Sequence, residues 1–135
     1  MSLGGGRDQI LEFPVLEPGV VGEMTLFADR GSDGMALDTE GNLYTTGGGA
    51  DGAHVDVLDR TGRQIRTYPI PFPFVSNLVF GGPDLNQLWV TGTSSQLNFS
   101  EPLVPQMRPQ TGHYGLLLRL DLTGVRGVAT LPSKH

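Results

Sequence analysis

Cysteine is absent from the 135-residue chain, so no disulfide staples it, and the redox compartment is left open. Charge of one sign is never concentrated: 14 Asp and Glu stand against 9 Lys and Arg, a net charge of −5, without a long run of either sign. Nucleic acid, whose phosphates call for a basic surface, is not an expected partner. No window approaches the roughly 18 consecutive apolar residues of a membrane span, so no membrane association is expected. Residues 1–6 have neither the basic start nor the apolar core of a secretory signal; a soluble cytoplasmic protein is the expectation. The stretch GGGADG at 47–52 lacks the Lys and Ser/Thr of a phosphate loop, and no helical pattern follows it, which argues against nucleotide binding.

What the chain has is turn residues and short β-favouring runs. Hydrophobic residues make up 38% of it, with Gly 20 and Pro 10, as one domain of many short strands requires. The organising stretch is GSDGMALDTEGNLYTTGG, residues 31–48. Met35 and Leu37 alternate with smaller or polar neighbours, and Leu43 to Thr46 form a second β-favouring run. The segment between them, Asp38 to Asn42, has the composition of a hairpin loop. This places Asp33 at the mouth of the first strand, level with Thr46 and Gly47.

The same plan returns downstream. Ser76 to Phe80 and Leu88 to Gly92 repeat the hairpin, with a step of 44 residues from Ser32 to Ser76 and 45 from Leu43 to Leu88. A third strand ending in Asp-x-Thr-Gly follows each hairpin, at Asp59 to Gly62 and at Asp121 to Gly124, and then a fourth, Gln64 to Ile70 and Arg126 to Leu131. A four-stranded unit repeating at about 40 to 50 residues predicts β-propeller blades. In the third strand, His54 to Leu58, Val55 and Val57 point inward while His54 and Asp56 form a solvated face. Asp51, Asp56 and Asp59 lack EF-hand spacing.

The segments SDGMALDTEGNLY, VLDRTGRQIRTYPIP and SNLVFGGPDLNQLWVT closely resemble the senescence marker protein/regucalcin/gluconolactonase (SMP-30/gluconolactonase/LRE-like) family. The resemblance runs from about Asp8 to Leu131 and implies calcium-dependent six-bladed propellers with lactonase activity. On that reading the chain is all-β, a partial six-bladed β-propeller of about two and a half four-stranded antiparallel blades. A half blade spans 8–30, a blade 31–71, and a second blade 72–132 carrying an insertion at 93–114. Gln9 to Val15 and Glu23 to Ala28 are the strands of the half blade, joined by a turn at Glu17 to Gly22. The chain then reads as the C-terminal part of a ring, either a truncated or excised fragment or a short protein that completes itself by association.

Topology brings Asp33 and the pair Ser76, Asn77 to the same end of adjacent blades. Converging carboxylate and amide oxygens suit calcium, which takes six to eight oxygens; equally, Asp33 caps its own turn and Asn77 satisfies loop backbone. The resemblance favours Asp33, since the Asp of this DGM motif is a metal ligand in the family and the proposed base that activates water. It also implies that Asn77, and less directly Ser76, line the substrate pocket. The family's other ligand motifs, an N-terminal Glu and an Asn in an earlier blade, have no counterpart here. The insertion joins second and third strands and so lies on the Asp33 face as a candidate lid, with Arg108 and His113 as candidate contacts for an acidic or sugar-like substrate or as solvent-exposed loop residues.

Two functions follow as expectations. One is a calcium-dependent lactonase-type hydrolase acting on a small lactone or sugar-acid substrate, of which this is a C-terminal portion, inactive alone in one version. The other is a non-catalytic propeller module that binds a ligand or partner. Exposed blade faces at the ends of an open segment predict either a homo-oligomer or a marginal chain that aggregates.

Overall fold

The computed structural model describes residues 8–48, 52–93 and 115–129, and every regular element among them is a β-strand. In chain order these are β1 (Ile10–Glu12), β2 (Val15–Glu17), β3 (Val20–Val21), β4 (Thr25–Ala28), β5 (Met35–Leu37), β6 (Leu43–Gly47), β7 (Ala53–Leu58), β8 (Gln64–Ile70), β9 (Phe74–Gly81), β10 (Gln87–Thr93) and β11 (Gly115–Asp121). They form a four-stranded sheet β5-β6-β7-β8, a three-stranded sheet β11-β10-β9, and two ribbons, β1-β4 and β2-β3. All pairings are antiparallel.

Two of the turns that impose this meander share one device. Asp59 Oδ1 accepts hydrogen bonds from the backbone N–H groups of Thr61 and Arg63, at 2.9 and 3.1 Å. Asp38 Oδ1 does the same for Glu40 and Asn42, both at 2.9 Å. The glycine three residues after each Asp, Gly62 and Gly41, holds φ near +83° and +84°. Only glycine adopts that left-handed conformation without strain, so Asp-x-x-Gly closes each turn and sends the chain back.

The four-stranded sheet is covered on both faces. Val55, Val57 and Tyr44 pack against Leu78, Phe80, Leu88 and Val90 of the next sheet, and the Tyr44 and Phe80 rings meet edge to face at 5.0 Å. On the other face Leu58, with Leu43, meets Ile10 and Ala28 of the β1-β4 ribbon. The three layers stack in chain order, as successive propeller blades do.

Three expectations are corrected. Asp56 is not solvated; it is 3% exposed, because β7 is a central strand with a layer on each side and its alternation separates two interiors rather than an interior from water. The turn at Glu17 to Gly22 is not a simple turn but contains most of the β2-β3 ribbon, closed at Gly19 with φ +82°. The fourth strand from Arg126 does not form over 126–129, while 130 and 131 lie outside the described residues. Instead Thr39 N–H donates to Arg126 O at 2.7 Å, Gly127 N–H to Leu85 O at 2.7 Å and Val128 N–H to Leu37 O at 3.0 Å. The segment runs back across the Asp38 turn because its backbone groups find partners there, so the described sheets are one of four strands, one of three and two ribbons of two.

Candidate functional site

Asp33 lies between Arg30 and β5, and its backbone is fixed by two hydroxyls. Thr46 Oγ1 accepts from the N–H groups of Asp33 and Gly34, both at 3.1 Å. Ser32 Oγ donates to Gly34 O at 2.7 Å and accepts from Thr46 N–H at 2.9 Å. The turn is thus capped by Ser32 and Thr46, not by the Asp33 carboxylate, which is exposed and receives no hydrogen bond among the described residues. A carboxylate on a pinned backbone, with its oxygens open to a ligand, is held ready for binding or acid–base work.

Asn77 sits directly against this loop: a Cβ at Gly34 would collide with the Asn77 amide. The glycine is what allows the two sheets to approach here. Asn77 Oδ1 accepts from Leu78 N–H at 2.8 Å, so part of its acceptor capacity is used by its own strand. Ser76 is the extra residue of a β-bulge, since Thr91 pairs with Asn77 and Gly92 with Val75. Its hydroxyl turns to Thr91, 3.1 Å from Thr91 Oγ1. Asn77 therefore lies against Gly34, the neighbour of Asp33 in the chain, and Ser76 turns to Thr91, while Arg108 and His113 lie outside the described residues.

Sequence reasoning missed the cleft beside Asp33. It encloses ≈ 930 Å³, and its lining includes Asp33, Arg30, His54, Asp56 and Phe74, but neither Ser76 nor Asn77. At its floor Asp56 Oδ2 accepts from the Arg30 guanidinium at 2.7 Å and lies 3.1 Å from His54 Nε2. Its other oxygen accepts from the Thr67 hydroxyl. Arg30 also reaches Gln64 Oε1 at 2.9 Å, so one side chain ties the linker before Asp33 to β7 and β8. The signal was available in hindsight: Thr45 and Thr67 flank Asp56 in register, the polar neighbours a buried carboxylate requires.

At the far end of the β5-β6 hairpin, Asp38 is 4% exposed and accepts from Asn42 Nδ2 at 3.0 Å. Burial, reinforced by the nearby Asp38 charge, pushes the Tyr44 phenol well above the usual range. Both belong to the turn end, away from Asp33. Among the described residues no group of three or more His, Cys, Asp or Glu is arranged to hold a metal ion.

Comparison with known proteins places the chain. The profile described as the SMP-30/Gluconolactonase/LRE-like region matches residues 7–94. Regucalcin of Gallus gallus is 35% identical over 101 residues, which is 74% of this chain and 31% of that protein. Regucalcin of Xenopus laevis is 31% identical over 98 residues, 72% of this chain and 30% of that one. The chain thus spans about a third of the length of these relatives. Pentonolactonase XacC of Haloferax volcanii is 34% identical over 59 residues, 44% of this chain and 20% of that protein. Among solved structures, a luciferin-regenerating enzyme superposes with a TM-score of 0.69 over 92% of this chain and 41% of its own at 22% identity, a likeness of fold. A calcium-binding regucalcin from Agrobacterium tumefaciens gives a TM-score of 0.53 at 27% identity, over 75% of this chain and 35% of its own. The sequence motifs, the stacked antiparallel sheets and these matches together show that the chain belongs to the SMP-30/gluconolactonase/LRE-like family.

Proposed function

We propose that this chain carries the Asp33 part of a lactonase-type hydrolase site, on the C-terminal two and a half blades of a six-bladed cytoplasmic propeller. The observation that carries the reading is a carboxylate without a protein donor among the described residues, on a backbone held by Ser32 and Thr46, opening into a ≈ 930 Å³ cleft. The reaction adds one water across the acyl C–O bond of a lactone: the new C–O bond comes from water, the ring oxygen leaves as a hydroxyl, and the product is a hydroxy acid. Asp33 orients the water and takes its proton, and Asn77, which packs on Gly34 at the edge of the cleft, is the proposed amide contact for substrate.

The cofactor of this reading is a divalent cation, calcium by the hardness of the oxygen donors, which when bound supplies a Lewis acid. The described residues do not fit such an ion on their own. One open carboxylate and an amide partly engaged by Leu78 fall well short of the six to eight oxygens calcium takes. That shortfall favours a second reading, in which the chain alone binds a lactone or sugar acid without turning it over. Hydrolysis of alkyl and aldono lactones by wild type and Asp33→Asn, with calcium and with chelator, separates the two. The first reading expects a loss of about 10²–10⁴-fold in Asp33→Asn; ligand binding without turnover in wild type supports the second; turnover unchanged by Asp33→Asn defeats the assignment of Asp33.

A further inference from the structure

We propose that Phe74 sets the specificity of the Asp33 cleft, and that the cleft takes lactones bearing an apolar alkyl substituent in preference to fully hydroxylated sugar lactones. The proposal rests on the reading above for the reactive group, the lactone; the choice among lactones rests on the lining alone. The walls of the cleft are segregated. One is built from polar side chains of the 30–33 linker and of β6 and β7, the other from Pro73, Phe74 and Val75.

Most of the hydroxyls and the imidazole of the polar wall are already engaged within the protein. Ser32 and Thr46 are engaged with each other and with the Asp33 turn. Thr45 is 1% exposed and its hydroxyl donates to Asp56 O. The two ring nitrogens of His54 face Asp56 Oδ2 and Gly52 O, at 3.1 and 3.3 Å. A polyhydroxylated ring stripped of water needs a partner for each hydroxyl, and every one left without costs about 1–3 kcal/mol. Among the described lining residues, the carboxylates of Asp33 and Asp8 and the amide oxygen of Gln9 receive no hydrogen bond, and Arg30 spends N–H donors on Asp56 and Gln64. These suit the polar end of a ligand, not a ring of hydroxyls.

The apolar wall is held in place. Phe74 opens β9 opposite Thr93, and the glycine next to Thr93 makes room for the segment: a Cβ on Gly92 would meet the Phe72 ring and the Phe74 carbonyl. The Phe72 ring and the Phe74 backbone therefore pack on β10 at Gly92, which holds the start of β9 against that strand. A tail leaving the lactone ring removes apolar surface from water against Phe74, and each methylene so buried strengthens binding roughly fourfold.

Lactams resist hydrolysis, so they report binding without chemistry. Affinities of δ-valerolactams with lengthening alkyl tails, and of gluconolactam, are measured by amide NMR in wild type, Phe74→Leu and Phe74→Ser. The expected result is affinity rising with tail length in wild type and Phe74→Leu, a flattened dependence in Phe74→Ser, shifts at Ser32, Gly47 and Gly48, and weaker binding of gluconolactam. Tighter binding of gluconolactam, a tail dependence unchanged in Phe74→Ser, or no binding of any lactam overturns the proposal. Should Phe74→Ser fail to fold, the wild-type tail series and its comparison with gluconolactam still decide the matter. Loss of lactone turnover with the tail dependence intact would defeat the hydrolase reading and leave this one standing.

Discussion

Asp56 receives hydrogen bonds from Arg30 and Thr67 and meets His54 while 3% exposed. Asp56→Ala would leave the guanidinium of Arg30, itself one-third exposed, without its carboxylate, and we expect a loss on the order of 1–3 kcal/mol, seen as a lower urea midpoint at unchanged slope. A loss below a few tenths would mean that solvent replaces the carboxylate at no cost. Tyr44 responds at the other end of the pH scale. Its phenol is raised in the folded chain by burial first and by Asp38 second, so its contribution is whole below the ordinary phenol value of about 10 and fades as pH climbs toward the folded value. Tyr44→Phe should remove the decline in stability above about pH 10, read from unfolding midpoints at rising pH. Asp59 shows the opposite sign: the Thr61 hydroxyl, then the Thr61 N–H, hold its carboxyl below the usual range. Its contribution is present above about pH 4 and is lost as pH falls through the lowered folded value. NMR titration of Asp59 before and after Thr61→Val checks this, the titration moving upward in the variant.

At the scale of elements, the segment after β11 joins the turns of two sheets. Gly127 packs on the Phe80 ring so closely that a Cβ there would collide with it, while its N–H donates to Leu85 O and Val128 N–H donates to Leu37 O. Gly127→Ala must displace Phe80 or lift the segment, and overpacking of this kind costs about 1–3 kcal/mol. Gly115→Ala is the control, because among the described residues a Cβ there meets nothing within 4 Å, and it should stay within about 0.5 kcal/mol of wild type. Equal midpoints for the two variants in a denaturant titration would mean the segment is not docked in solution. Leu85, with φ +52°, accepts the Gly127 bond, so a left-handed non-glycine residue is kept where the segment needs its carbonyl.

The described residues form a stack of three layers whose outer faces carry exposed apolar side chains. Leu11 and Leu26, paired across the β1-β4 ribbon, are 39% and 57% exposed, and Val79 and Leu117 on the free face of the last sheet are 49% and 62% exposed. Faces of this kind associate or aggregate. Light scattering should find wild type larger than a monomer, and Leu26→Glu combined with Leu117→Lys should return it to one; a monomeric wild type would show the faces tolerated in water. Much of this was legible in the chain. The period near 45, the Asp-x-Thr-Gly turns and the DGM and NLVFGG motifs gave the strands β5 to β11, their order and the family, because turn chemistry and alternation act over a few residues. The position of Asp33 at the strand mouth follows from the same local rules. What only the tertiary structure decided are the burial of Asp56, the turning aside of Ser76, the return of residues 126–129 to the Asp38 turn, and the aromatic wall at Phe74. Each depends on which layer covers a strand, and a period-two pattern separates the faces of a strand without saying whether water or another sheet lies beyond them.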